Sequence, residues 1–173
     1  DENKKAKIDN DKCISCGACV YKCPFGAITD KSYVLDIIDM LKGSENNTKY
    51  KVYAVIAPAI VSQCRFGRPS QVVTAIQKLG FHQVVEAALG ADITLYHEAL
   101  EWKEKGLMTT SCCPSYVAFI EKNFPELVQH ISHSVSPMIM TAQLIKHSDP
   151  TAKCVFIGPC ASKKAEFKLE KTG

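Results

Sequence analysis

Cys13, Cys16, Cys19 and Cys23, the last followed by Pro24, form the run C-x2-C-x2-C-x3-C-P. Thiolates this close together, with Gly17 letting the backbone wrap tightly, are spaced to aim at an iron–sulfur cube. The competing chemistry is a zinc knot, but zinc ribbons separate their two C-x2-C pairs by many residues. The sequence holds one copy of the run, so Cys13, Cys16 and Cys19 take a fourth ligand either from Cys23 or from a thiol outside the chain. Further on, two adjacent thiols stand in Thr109-Thr110-Ser111-Cys112-Cys113-Pro114-Ser115-Tyr116. Pro114 lacks a backbone N–H and has its φ preset, which suits the first turn of a helix through Val117, Ile120 and Glu121. Cys113 is then at a helix N-terminus, where partial positive charge favours a thiolate and so favours metal ligation. Cys112 must point elsewhere. One cysteine there would read as a small buried hydrophobe; two in succession, between Ser and Pro, read as chemistry.

The elements that position these thiols follow from periodicity. Residues 1–12 are a charged lead-in. Lys31 to Asn47 reads as an amphipathic helix ending at Gly43, and the polar linker after it sets a boundary between a small module, 1–48, and a larger domain, 49–173. Beyond it, short apolar runs alternate with helical patterns. Strands are expected at Lys51–Ala57, Gln83–Ala87, Leu107–Thr110 and Lys153–Ile157. Helices are expected at Pro69–Leu79, Asp92–Lys105, Pro114–Asn123, Glu126–His133, Ser136–Ile145 with Ser136 as N-cap, and Ala161–Leu169. This alternation predicts an α/β fold, a mostly parallel sheet with helices on both faces, preceded by the small iron–sulfur module. In such folds ligands gather beyond the carboxyl ends of the strands. Ala57-Pro58-Ala59, Ser111-Cys112-Cys113-Pro114 and Gly158-Pro159-Cys160-Ala161-Ser162-Lys163 stand at three such ends, and two of them carry thiols. Cys64 fits no motif; Cys154, Trp102, Met138 and Met140 read as core. The histidines show no ligand spacing, except that His130 and His133 are three apart on an expected helix.

Composition narrows the field. A chain of 173 residues, 46% hydrophobic and free of low-complexity tracts, can bury a core. Its net charge of +3 is interspersed rather than blocked, without aromatic interleaving, which argues against a nucleic-acid surface. The apolar run Val52 to Val61 falls far short of the roughly 20 residues of a membrane helix, and no signal peptide is evident. Nine cysteines, four of them within eleven residues, suit metal binding in a reducing, oxygen-poor cytoplasm better than a secreted disulfide framework. Asp1 at the start and Gly173 in a lysine-rich stretch read as the ends of a piece of a longer chain.

Taken together, these residues resemble the catalytic half of the iron-only, or FeFe, hydrogenases. T-S-C-C-P stands intact at Thr110–Pro114, and P-C-x-x-K-x-x-E as Pro159, Cys160, Lys163 and Glu166. The upstream cysteine run is that of bacterial ferredoxins. The Ala57-Pro58 turn and the E-x-x-E pair Glu98 and Glu101 fall in family order, so the resemblance covers nearly the whole chain. It implies a reversible reaction of two protons and two electrons to H2, with electrons relayed by 4Fe-4S clusters. In the complete protein it implies the H-cluster, a 4Fe-4S cube joined to a diiron unit with CO and CN ligands. Cys113 and Cys160 would hold the cube, Cys112 would pass protons to the diiron centre, and Lys163 would donate to a cyanide. Ala57 and Pro58 would border the cofactor. Glu98, Glu101 and Ser136 match the family's proton route, since two glutamates three apart share one helical face. They also read as a solvated face with Glu101 paired to Lys105, and Lys163 also reads as a surface residue. Implied partners are ferredoxin or another redox carrier and the hydrogenase maturation proteins.

Two departures point to a divergent branch that senses or tunes: Gly158 where the family has Met, and Tyr116 where it has Trp. The family's third motif, which supplies the last two cube ligands, has no counterpart before Gly173, so the 173-residue piece is expected to be inactive alone. Two alternatives remain open at this level. One is a Narf-like cluster-assembly protein, against which the Cys112-Cys113 doublet argues; the other is a simple electron-transfer or H2-sensing module.

Overall fold

Successive side chains of a strand point to opposite faces, and in Val52-Tyr53-Ala54-Val55-Ile56 both faces are apolar, so this segment has to be covered twice. The computed structural model describes residues 7–64 and 67–167. In chain order come helices α1 (Ala18–Lys22) and α2 (Val34–Gly43), strand β1 (Val52–Ile56), α3 (Ile60–Gln63), α4 (Pro69–Lys78), β2 (Gln83–Glu86) and α5 (Ala87–Lys105). After them come α6 (Pro114–Asn123), a 3-10 segment (Pro125–His130), α7 (Pro137–Ser148), β3 (Lys153–Ile157) and α8 (Lys163–Glu166). The three strands form a parallel sheet in the order β2-β1-β3. This is the α/β architecture the alternation predicts.

The chain divides into two compact units. One, made of Ser32–Ala99 and Val135–Pro159, contains the sheet. On one face Val52, Ala54, Ile56 and Val155 pack with Ile76 and Phe81, joined by Ile37, Met40 and Leu41 from α2 and Val72 and Val73 from α4. On the other face Val55 packs with Ala87 of α5, Ile145 of α7 and Ala152, flanked by Tyr53, Val85, Cys154 and Phe156. Val52 and Val55 are fully buried, and each such side chain contributes about 1.5–3 kcal/mol. Cys154 behaves as the core residue expected, its thiol pushed up by burial.

The other unit is made of Asp1–Lys31, Leu100–Ser134 and Cys160–Gly173. It holds α1, α6, the 3-10 segment and α8. Its one recorded pairing of extended chain is a single parallel bridge between Thr109 and Ile131. There the Thr109 N–H donates to the His130 carbonyl at 2.7 Å and the Ser132 N–H to the Thr109 carbonyl at 2.8 Å.

Several expectations need correction. Leu107–Thr110 is not a strand of the sheet, because Leu107 is 72% exposed and only Thr109 finds a bridging partner. Cys112 and Cys113 therefore do not follow a sheet strand, whereas Cys160 does follow β3. Helix α5 begins at Ala87, directly after β2, and not at Asp92. Its buried stripe is small and polar, Ala87, Gly90, Thr94 and Glu98, which hides the pattern of an apolar face, and Trp102 is 60% exposed rather than core. Glu126–His133 is a 3-10 segment ending at His130, so His130 and His133 do not share a helix. Ser136 stands at the N-cap of α7, but its side chain makes no capping bond. The last helix is short, α8, and Leu169 lies outside the described residues. The short α1 and α3 were not expected.

Gly90 is where α5 meets α7. A Cβ there would stand 2.3 Å from the Pro137 carbonyl oxygen and 2.3 Å from Thr141 Oγ1. Because the first of these is backbone, Gly90→Ala is expected to cost about 1–3 kcal/mol through overpacking. Urea unfolding would measure it, and an unchanged midpoint would mean the two helices part freely.

Candidate functional site

The ferredoxin-type run is a loop closed by backbone. Ser15 and Gly17 both take left-handed φ, 57° and 75°, which turn the chain back on itself ahead of α1. For Gly17 the absence of a side chain also matters, since a Cβ would stand 3.0 Å from the Cβ of Ala161, the residue after Cys160. The N–H of Ser15 points at Cys13 Sγ (3.4 Å) and that of Ala27 at Cys23 Sγ (3.3 Å). Backbone hydrogen bonds from Phe25 and Ala27 hold the Cys23 thiol below its ordinary range. Four closely spaced thiols with amides aimed at sulfur are a donor set that fits an iron–sulfur cube. The thiols are nevertheless splayed: among the described residues no three His, Cys, Asp or Glu side chains stand close enough to hold a metal ion. Ligand convergence here is work for the cluster itself, as expected when binding and local folding are coupled.

The two downstream motifs meet through a lysine. Cys113 is the N-cap of α6, with Pro114 in its first turn, as the sequence predicts. Lys163 donates to the Cys112 carbonyl at 2.8 Å and to Glu166 Oε2 at 2.7 Å. Both side chains are largely buried, 14% and 10% exposed, so Lys163 is not a surface residue. Cys112 Sγ lies 3.6 Å from Thr110 Oγ1. Partial burial works to raise the Cys160 thiol, but the Ser162 hydroxyl at 3.1 Å and the backbone N–H groups of Lys163 and Ser162 outweigh it and lower the thiol. That environment favours the thiolate a metal requires.

Glu101 is gripped from three sides. Lys105 donates to it at 2.6 Å, the Ser132 hydroxyl at 2.7 Å, and the His133 N–H at 3.1 Å and 3.2 Å. Partial burial would raise this carboxyl, yet those donors bring it down to about 2. Ser132, which the sequence reading passed over in favour of Ser136, is the serine bonded to Glu101; nothing in its local sequence marks it, only the fold. In the sheet-bearing unit, Glu98 Oε1 and Ser136 Oγ are both buried and have no hydrogen-bond partner among the described residues. Ala57 is buried and its N–H extends the β1–β3 pairing to the Ile157 carbonyl at 2.9 Å, while Pro58 is exposed. Beside Ala57, a Cβ on Gly158 would lie 2.8 Å from the Phe156 ring and 3.0 Å from the Ala57 Cβ.

Comparison with known proteins bears on this arrangement. Residues 50–173 match the family model of the iron-only hydrogenase large subunit, C-terminal domain, and residues 6–29 match a 4Fe-4S binding domain. The chain belongs to the iron-only hydrogenase family. Within that family it is 30% identical to iron hydrogenase 1 of Clostridium pasteurianum, an alignment covering all of this chain and 41% of that protein. A variant of the FeFe hydrogenase HydA1 from Chlamydomonas reinhardtii superimposes with a TM-score of 0.69 at 26% identity, over 81% of this chain and 42% of that one. The cytosolic Fe-S cluster assembly factor NAR1 of Kluyveromyces lactis is 24% identical, over 98% of this chain and 39% of its own. The chain thus spans less than half the length of these relatives. The iron-only hydrogenase family accounts for both cysteine groups, the N-terminal run as a 4Fe-4S ligand set and Cys113 and Cys160 in the domain associated with the H-cluster.

The depressed carboxyl of Glu101 has a pH signature. Its contribution to stability is complete above its ordinary value of 4.5 and is lost as pH falls through about 2. Glu101→Ala is expected to cost about 1–3 kcal/mol at pH 7, having left Ser132 and His133 without their acceptor. The gap to wild type should close as pH is lowered from 4.5 towards 2. Urea unfolding across a pH series would measure this, and a gap independent of pH would show that the carboxylate charge is not what binds these groups.

Proposed function

We propose that this chain is part of an FeFe hydrogenase and contributes to the reversible combination of two protons and two electrons into H2. The observation that carries this reading is the tie between the two motifs: Lys163, three residues after Cys160, bonds the carbonyl of Cys112, next to Cys113. When bound, the H-cluster supplies the metal centre at which protons and electrons combine. Cys113 and Cys160 would hold its cube, and Ala57 and Pro58 would border it. The exposed Cys112 thiol hands over protons. Lys163, a compact ammonium, suits an anionic ligand such as cyanide. Glu98 and Ser136 keep buried polar atoms without partners, a costly arrangement retained where protons pass. Glu101 is too acidic to hold a proton near neutrality and acts as the fixed anion that orients Ser132.

The N-terminal run, loaded with a 4Fe-4S cluster, relays single electrons from a ferredoxin-class carrier, and maturation proteins build the diiron unit. Nine thiols suit a reducing cytoplasm, and no helix among the described residues is long and apolar enough to cross a membrane. The small module at 1–48 and the larger domain at 49–173 divide this labour.

A second reading, an assembly factor like NAR1, is favoured by the comparable similarity to the Kluyveromyces lactis protein. Turnover and cofactor spectra separate the two. In the complete, matured protein Cys112→Ala should lower H2 turnover about 10²–10⁴-fold, the range of a lost acid–base group, while cluster spectra persist. Cys113→Ala should instead lose the cube. Equal turnover in wild type and Cys112→Ala would remove the proton role. Normal 4Fe-4S loading without infrared bands from iron-bound CO and CN would favour the assembly-factor reading.

A further inference from the structure

The cysteine run is gripped by a charged side chain that lies far from it in sequence. Lys122, in the last turn of α6, donates to the carbonyl of Asn10 and to the carbonyl of Cys13, each at 2.8 Å. Cys13 is the first thiol of the run, so this ammonium is bonded to the backbone of a residue that ligates the cluster. Its acceptors are neutral: the ion pairs among the described residues do not include Lys122. Within the same loop Asp9 faces Lys12 at 3.9 Å, which leaves the charge of Lys122 uncompensated by that carboxylate.

We propose that Lys122 sets the reduction potential of the N-terminal 4Fe-4S cluster, holding it more positive than the loop alone would. The proposal rests on the match of residues 6–29 to a 4Fe-4S binding domain. Reduction moves one electron from a low-potential donor onto the cluster and so adds one negative charge to a cube already made anionic by thiolates. A fixed cation bonded to the ligand backbone stabilises the reduced form more than the oxidised form. Lysine is a compact point charge and needs no planar acceptor, which matches two carbonyl oxygens from separate residues. Because Lys122 is exposed, salt screens part of its effect. A lysine that served only to dock the loop would affect cluster retention without following charge.

The test is an EPR-monitored redox titration of the anaerobically reconstituted chain, with the signal assigned by its loss in Cys16→Ser. Lys122→Arg should keep the wild-type midpoint. Lys122→Gln should move it to more negative potential, and Lys122→Glu further, with the differences shrinking as salt is added. Asn10→Asp retains the lysine and sets a carboxylate beside its acceptor, and it should shift the midpoint the same way even where Lys122→Gln fails to retain the cluster. A midpoint unmoved in the substituted chains that load a cluster would overturn the proposal. Stoichiometric zinc without iron would instead overturn the cluster assignment beneath it, a result that iron analysis reads separately.

Discussion

An ammonium taken out of water has to be given oxygen atoms in its place, and those of Lys163 come from two separate stretches of chain. Glu166 is one turn along the same short helix; the Cys112 carbonyl arrives from a loop some fifty residues earlier. A buried pair of this kind is a poor source of net stability but is expensive to leave half-made, by about 3–5 kcal/mol when one partner is removed. It therefore acts as a registration mark. The T-S-C-C-P turn and the P-C-x-x-K-x-x-E segment share one unit because this charge has to be satisfied, and the placement of Cys113 relative to Cys160 inherits from it.

The two compact units divide the physics of the molecule between them. The sheet-bearing unit is stabilised by burial, with β1 covered on both faces and helices α5 and α7 in contact across Gly90. The other unit collects Cys13, Cys16, Cys19, Cys23, Cys112, Cys113 and Cys160 from three distant stretches, while Cys64 and Cys154 fall in the sheet-bearing one. Its bonds are mostly local or polar: Lys122 on two carbonyls, Lys164 on Asp30, Ser132 on Glu101. A region held this way opens at lower free energy than a packed core. Metal then has a mechanical role as well as a chemical one, because drawing splayed thiols together supplies cross-links that apolar packing does not.

Much of this was legible in the sequence where local rules and tertiary demands agree. Pro114 opens α6 and Pro69 opens α4 at the residues expected, and β3 spans Lys153–Ile157 as read. Spacing alone also marked Cys13 to Cys23 and the two downstream cysteine motifs. The failures lie where tertiary contact overrode pattern. Gly90 disguised the start of α5, since its use is close approach to α7 and propensity counts against it in a helix. Leu107–Thr110 carried a strand-like pattern with no neighbouring strand to pair with. Ser132 could not be distinguished from Ser136 in one dimension; only the return of the chain after the 3-10 segment brings it to Glu101.

Gly158 carries a consequence for how this chain can vary. The family's usual methionine cannot be restored there by one change, because the first carbon of any side chain meets the Phe156 ring at 2.8 Å. The ring must swing away or shrink first, and a smaller residue at 156 before the larger one at 158 leaves a gap in the face built around Val55. The order of substitutions is thereby constrained, with each step disfavoured until the other is made. Positions 156 and 158 form an epistatic pair, and drift from this branch back towards the common pattern has to cross a valley in fitness at the very strand that leads into Cys160.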